Sequence, residues 1–156
     1  MNAHARSLPH TVVRLYTAGA RWVDSLQSIF ALMVRLYVAR VFFLSALTKL
    51  NDWNITISLF TNEYQVPLLP PEVAAFLGTS AELGLPVLLT LGLASRPAAL
   101  ALFAFNIVAV ISYPDLSDAG LKDHMLWGAL MLVTFFYGPG KISVDHLLGR
   151  KYPPSP

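Results

Sequence analysis

Arginine, glutamate, asparagine and histidine stand inside the most apolar stretches of this 156-residue chain, at Arg40, Glu82, Asn106 and His124. An ionisable side chain surrounded by hydrocarbon is disfavoured by at least a few kcal/mol, so such a residue marks a candidate site. An arginine and a glutamate at matching depth relieve each other's cost by forming an ion pair. The amide and the imidazole add hydrogen-bond donors and acceptors and one group able to carry a proton. Asp123 and His124 form the one pair with any metal-ligand character, and two groups are too few without further ligands. With no cysteine in the chain, dithiol chemistry, thiolate metal sites and disulfides are excluded.

The elements that must position these groups are apolar runs. They cover Ile29–Leu50, Val73–Leu93, Pro97–Tyr113 and His124–Tyr137. The chain is 55% hydrophobic and only 13% charged, against about 25% charged in an ordinary soluble domain. A helix crossing roughly 30 Å of hydrocarbon needs about 20 mostly apolar residues. Strands are disfavoured, because an open sheet leaves backbone groups unpaired in lipid. The pattern predicts an all-α fold, a bundle of four transmembrane helices. The spans fall near residues 29–50, 72–94, 97–113 and 121–138 of a membrane domain over 29–140. A segment over 1–28 precedes it and a tail over 141–156 follows.

Basic residues sort by side. Arg6, Arg14, Arg21, Arg35, Arg96, Lys141, Arg150 and Lys151 lie at one set of span ends, and only Lys49 and Lys122 at the other. The excess of Lys and Arg places both termini in the cytoplasm of a bacterial inner membrane. The net charge of +2 is thereby explained by topology, without nucleic acid as a partner.

Residues 12–30 carry Val12, Leu15, Tyr16, Trp22, Leu26 and Phe30 on one stripe, with Arg14, Thr17, Arg21 and Ser25 opposite. That predicts an amphipathic helix lying in the membrane interface before the first span. Asn51-Asp52 opens a second, short helix on the extracytoplasmic surface, through Ile57, Phe60 and Tyr64. Pro86 should kink the second span. Counting inward at 1.5 Å per residue puts Arg40 and Glu82 roughly 14 Å below the outer boundary and Asn106 about 10 Å below it. These depths predict an Arg40–Glu82 pair within a small polar cavity that opens outward and includes Asn106 and His124. Were Arg40 and Glu82 turned to opposite sides, that cavity would lose its reason to exist.

From Arg35 to Asp145 the chain resembles the DoxX family of small four-span membrane proteins. Arg35 opens the first span and Lys49-Leu50 closes it. Glu82-Leu83-Gly84 leads through Gly92 to Arg96-Pro97. The pattern ends on Gly138-Pro139-Gly140-Lys141-Ile142-Ser143-Val144-Asp145. Ser45-Ala46 replaces the family's usual small glycine, and Arg40 stands outside the pattern. Asp52-Trp53, Glu63-Tyr64-Gln65-Val66-Pro67, Ile111-Ser112-Tyr113-Pro114 and Asp123-His124 resemble a subgroup encoded in metal-stress operons.

The resemblance implies an accessory or anchoring component of a redox or metal-stress system, with a protein partner or a second copy beside it in the bilayer. It also implies, as an alternative, a subunit of a quinone-linked oxidoreductase with quinone as the cofactor. A small transporter or export helper gated by the charge pair is a further alternative.

Overall fold

The structure, a computed structural model, describes residues 10–151. The rest of the N-terminal segment and the last residues of the tail lie outside the described residues. Six helices follow one another: α1 His10–Asn51, α2 Trp53–Asn62, α3 Pro71–Leu91, α4 Ser95–Ser112, α5 Asp118–Tyr137 and α6 Val144–Lys151. No strand occurs among the described residues. Three of the helices, α1, α3 and α4, are long and apolar enough to cross a membrane. α5 is of similar length, but Asp118, Lys122, Asp123 and His124 occupy its first two turns and dilute its apolar stretch.

The helices begin and end where side-chain chemistry directs. Asp52 caps α2 by accepting from the Asn54 and Ile55 amides at 2.9 and 3.0 Å. Pro71 starts α3, where its missing amide hydrogen is no loss, and Gly92 ends it in the left-handed conformation at φ 69°. Ser117 caps α5 through the Gly120 amide. Pro86 sits within α3 and removes one backbone donor there.

α1 packs on α3 and α5, α3 on α4, and α4 on α5, so these helices close a ring. Neighbours run antiparallel: the α1 residues Arg35 and Lys49 meet Leu89 and Glu82 of α3, and Asn106 of α4 meets His124 of α5. The core is made of Val38, Ala39, Phe42, Leu89, Ala98, Ala99, Leu102 and Met131. Its small residues bring backbones close, which is how helices associate when lipid offers no hydrophobic gain. α2 folds over one end of the ring, where Phe60 packs on Ala74 and Ala75 of α3.

The amphipathic segment 12–30 is not a separate helix. It is continuous with the first apolar run in one 42-residue helix, about 63 Å long at 1.5 Å per residue and thus roughly twice the hydrocarbon thickness. Nothing between Ser25 and Ile29 can stop a helix: the stretch holds neither proline nor glycine. Leu15, Tyr16, Trp22 and Phe30 are exposed along this extension.

Arg35 holds the end of the ring opposite α2. It was counted among the flanking topology charges, yet only 1% of it is exposed. Its guanidinium donates to the carbonyls of Leu89, at 2.7 Å, Thr90 and Ile142, tying α1 to the end of α3 and to the segment before α6. The Asp145 carboxylate accepts from the Ala94 and Ser95 amides at 2.7 and 2.8 Å, capping α4, while its own amide donates to Gly92 O. A Cβ on Gly92 would lie 2.5 Å from Ser143 Cβ and 2.7 Å from an Arg35 nitrogen. Gly138 and Gly140 also have positive φ, 83° and 78°, and lie under Arg96 and against Ser28.

This clasp predicts that Gly92→Ala costs about 1–3 kcal/mol through its left-handed backbone and the collision together. Asp145→Ala should cost about 1 kcal/mol by uncapping α4. Thermal unfolding in detergent reads both. Melting temperatures equal to that of the unsubstituted chain would refute the clasp.

Candidate functional site

The expected Arg40–Glu82 pair does not form. Lys49 is the partner of Glu82: its ammonium lies 2.7 Å from Oε2, and both side chains are largely buried. Ser45 completes the group, donating to Glu82 Oε1 at 3.2 Å and accepting from Lys49 at 2.9 Å. Arg40 is exposed on the outside of the ring.

Depth had matched the two charges, but helical phase separates them. The buried stripe of α1 runs Arg35, Val38, Ala39, Phe42, Ala46, and Ser45 and Lys49 lie at its edge. Each residue advances the helix by roughly 100°, so Arg40 stands about 140° around from Arg35. It cannot reach the interior. Glu82 does lie on the buried stripe of α3, with Ala75, Gly78, Thr79, Pro86 and Leu89.

Asn106 and His124 are brought together. The Asn106 amide donates to the His124 carbonyl at 3.0 Å, and its oxygen lies 2.7 Å from His124 Nδ1. Only the NH₂ end of an amide can donate to a carbonyl, so the oxygen must face the ring. Nδ1 therefore carries a proton, and in the neutral ring Nε2 keeps its lone pair. Gly128 allows α4 this close, because a Cβ there would meet Phe103 at 3.3 Å and the Asn106 amide nitrogen at 3.5 Å. Trp127 packs edge-on against His124 at 4.8 Å and against Phe42 at 5.7 Å, fixing the face that the imidazole presents.

Lys49, Ser45, Glu82 and His124 line one cavity of about 220 Å³, together with Tyr64, Tyr113 and Trp127. A second cavity of about 370 Å³ shares Lys49, Tyr64 and Glu82 with it. Its remaining walls are largely apolar, among them Phe60, Leu69, Leu77 and Val108. The two adjoin at these shared residues, so the space they make beneath α2 is polar at the charge pair and apolar beyond it. Trp127 Nε1 and Ser112 Oγ are buried without a hydrogen-bond partner among the described residues, and each belongs to a residue lining this space. Tyr64 lines both cavities, its ring tilted against Phe60 at 4.9 Å and Tyr113 at 5.1 Å. Burial, and then the nearby Glu82 carboxylate, raises the Tyr64 phenol above its ordinary pKa, so it stays a hydrogen-bond donor.

Asp123 is exposed and turned away from this space. Among the described residues no three His, Asp or Glu side chains gather as a metal site would need. Sequence reasoning missed Ser45, Tyr64 and Trp127 as lining residues and assigned Lys49 to the surface. The four-residue step from Ser45 to Lys49, in phase with Phe42 and Ala46, was the available signal for α1. Tyr64 and Trp127 had none, because their placement depends on how α2 and α5 pack. Of the family-pattern residues, Arg35, Gly92, Gly138, Gly140, Ser143 and Asp145 belong to the clasp. Arg96 lies over Gly138, and Pro97 sits in the first turn of α4. Gly84 faces open space.

A family model described as DoxX matches residues 30–114. An uncharacterised protein of Haemophilus influenzae is 30% identical over 129 residues, which cover 78% of this chain and 85% of that protein. No solved structure matches the chain. The long apolar helices, the residues 30–114 match and the near-full-length likeness agree: the chain is a membrane protein and belongs to the DoxX family.

Proposed function

We propose that this chain is a four-span protein of the bacterial inner membrane with both termini in the cytoplasm, α5 supplying the fourth crossing. In this reading it is an accessory component of a redox or metal-stress system, and the space beneath α2 holds a small molecule for that system. One observation carries the proposal. Polar groups from α1, α3, α5 and the segment after α2 converge on a space whose other walls are apolar. Such a space suits a molecule with a polar head and a hydrophobic body. The connections between helices are too short to build a soluble substrate domain, which supports an accessory role over a self-sufficient enzyme.

A quinone-linked subunit is the second reading, and the donors favour it. A quinone head presents carbonyl oxygens, and Lys49, Tyr64 and Trp127 can donate to such acceptors. Glu82 and His124 could exchange protons with it. The electrons would come from a partner protein. The transporter reading draws less support, since the Lys49 and Glu82 charges are spent on each other at 2.7 Å.

Glu82→Gln should leave a buried ammonium without its counter-charge, at a cost of about 3–5 kcal/mol, whereas the Lys49→Met, Glu82→Gln double variant recovers much of it. Unfolding in detergent measures the coupling, and additive losses would dissolve the pair. Mass spectrometry of organic extracts from protein purified in mild detergent should find an amphiphile that Trp127→Phe with His124→Leu no longer retains. Equal content in both samples would remove the binding role. Because the chain has no cysteine, single-cysteine variants report topology cleanly. An impermeant maleimide should label Thr61→Cys from outside intact cells and leave Gly149→Cys unlabelled until lysis. The opposite pattern would reject the orientation.

A further inference from the structure

Arg40 is the charge that the candidate site does not use. It is exposed near the middle of α1's apolar run and has no ion-pair or hydrogen-bond partner among the described residues. Glu82, the one carboxylate on the apolar stretch of α3, is engaged by Lys49 and Ser45 on the far side of α1. Asp24 lies on the N-terminal extension of α1, about 24 Å along the helix from Arg40, and the remaining carboxylates of the described chain belong to the ends of helices and to connections. Within the four-span reading, on which this inference rests, the Arg40 backbone lies about 16 Å from either edge of a 22-residue crossing. A guanidinium there is held in hydrocarbon unless an anion meets it at that depth.

The surroundings of Arg40 have the shape of a seat. A groove of about 480 Å³ runs between α1 and α3, lined by Leu36, Ala39, Arg40, Phe43, Pro86, Val87, Thr90 and Leu91. Ala39 keeps the groove floor low, and at Pro86 α3 lacks a backbone donor. Floors of small residues between apolar ridges are where membrane helices approach one another closely.

We infer that this groove is the docking face for a transmembrane helix of a different protein carrying an aspartate or glutamate near the bilayer centre. Charge complementarity selects that occupant. A second copy of this chain related by a two-fold axis through the groove would bring Arg40 toward Arg40, with no free carboxylate at that level. A phospholipid phosphate lies at the edge of the hydrocarbon, so Arg40 would have to leave the groove to reach it. A carboxylate on a partner helix meets the guanidinium where it stands, and a bidentate pair also fixes register. The inference gives the accessory reading a specific contact face.

The test uses a defined probe. A synthetic leucine–alanine transmembrane peptide with one central aspartate is labelled with a fluorescence donor. The full-length protein, acceptor-labelled at Gly149→Cys, is reconstituted with it in phosphatidylcholine vesicles. The aspartate peptide should associate about ten-fold more tightly than its asparagine counterpart. Arg40→Gln should abolish that difference, and Val87→Trp should weaken binding by filling the groove. Ile107→Trp, on the exposed face of α4, should leave it unchanged. Equal binding of the two peptides, or a preference indifferent to Arg40→Gln, overturns the inference. Arg40-dependent retention of phosphatidylglycerol over phosphatidylcholine, with the peptides binding alike, overturns it in favour of a lipid seat. Maleimide labelling of unconjugated Thr61→Cys and Gly149→Cys variants in intact cells reports the topology independently, so the groove and the four-span reading fail separately.

Discussion

A carboxylate in an apolar helix ring must be neutralised, and everything around Glu82 is arranged for that. Lys49 and Ser45 take both of its oxygens, which sets how far α1 slides along α3 and turns the same face of α1 inward over its whole bundled length. Once that face is fixed, Phe42 meets Trp127 and Phe105, and Arg35 falls opposite the end of α3. Removing water from the pair makes its attraction strong and makes either partner alone costly. The pair therefore fixes position more than it adds stability, since apolar residues of equal volume would pack there without a desolvation cost.

The ring is built differently at its two ends. At the α6 end, arginine and aspartate side chains bind backbone carbonyls and amides, and glycines with positive φ allow the chain segments to touch. Such contacts leave little freedom. At the α2 end the polar groups bind one another, two donors stay buried without a partner among the described residues, and the Phe60, Tyr64 and Tyr113 rings pack in a row. The two ends thus differ in what their polar groups bind, backbone at one and side chains at the other.

Much of this was legible in the residues. Apolar length and low charge announce membrane helices, and Asn51-Asp52, Pro71 and Gly92 announce their ends. Glu82 and Asn106 stand out as polar residues among apolar ones, and both lie inside. Arg40 stands out in the same way and lies outside. Depth along a helix is linear in sequence, whereas facing depends on angle, and an error of two residues in phase turns a core arginine into a surface one. The length of α1 was missed for another reason: amphipathic patterning tells which face is apolar but not whether the axis bends. Tyr64 and Trp127 were hidden because their position depends on contacts between elements far apart in the chain.

The family pattern divides along the same line as the ring. Most of its residues serve the clasp, whose bonds to backbone groups are indifferent to what the protein binds, so membership describes the scaffold before it describes any chemistry. Lys49 and Glu82 lie within the matched stretch 30–114, while His124 and Trp127 lie beyond it. The match thus spans the charge pair and the Arg35–Gly92 side of the clasp, and leaves out the imidazole, the indole and the clasp residues Gly138, Gly140, Ser143 and Asp145. α5 is held to α4 through the Asn106–His124 bonds. Under the binding role proposed above, a change in α5 would alter what the space accepts while the pair and the clasp keep the ring intact.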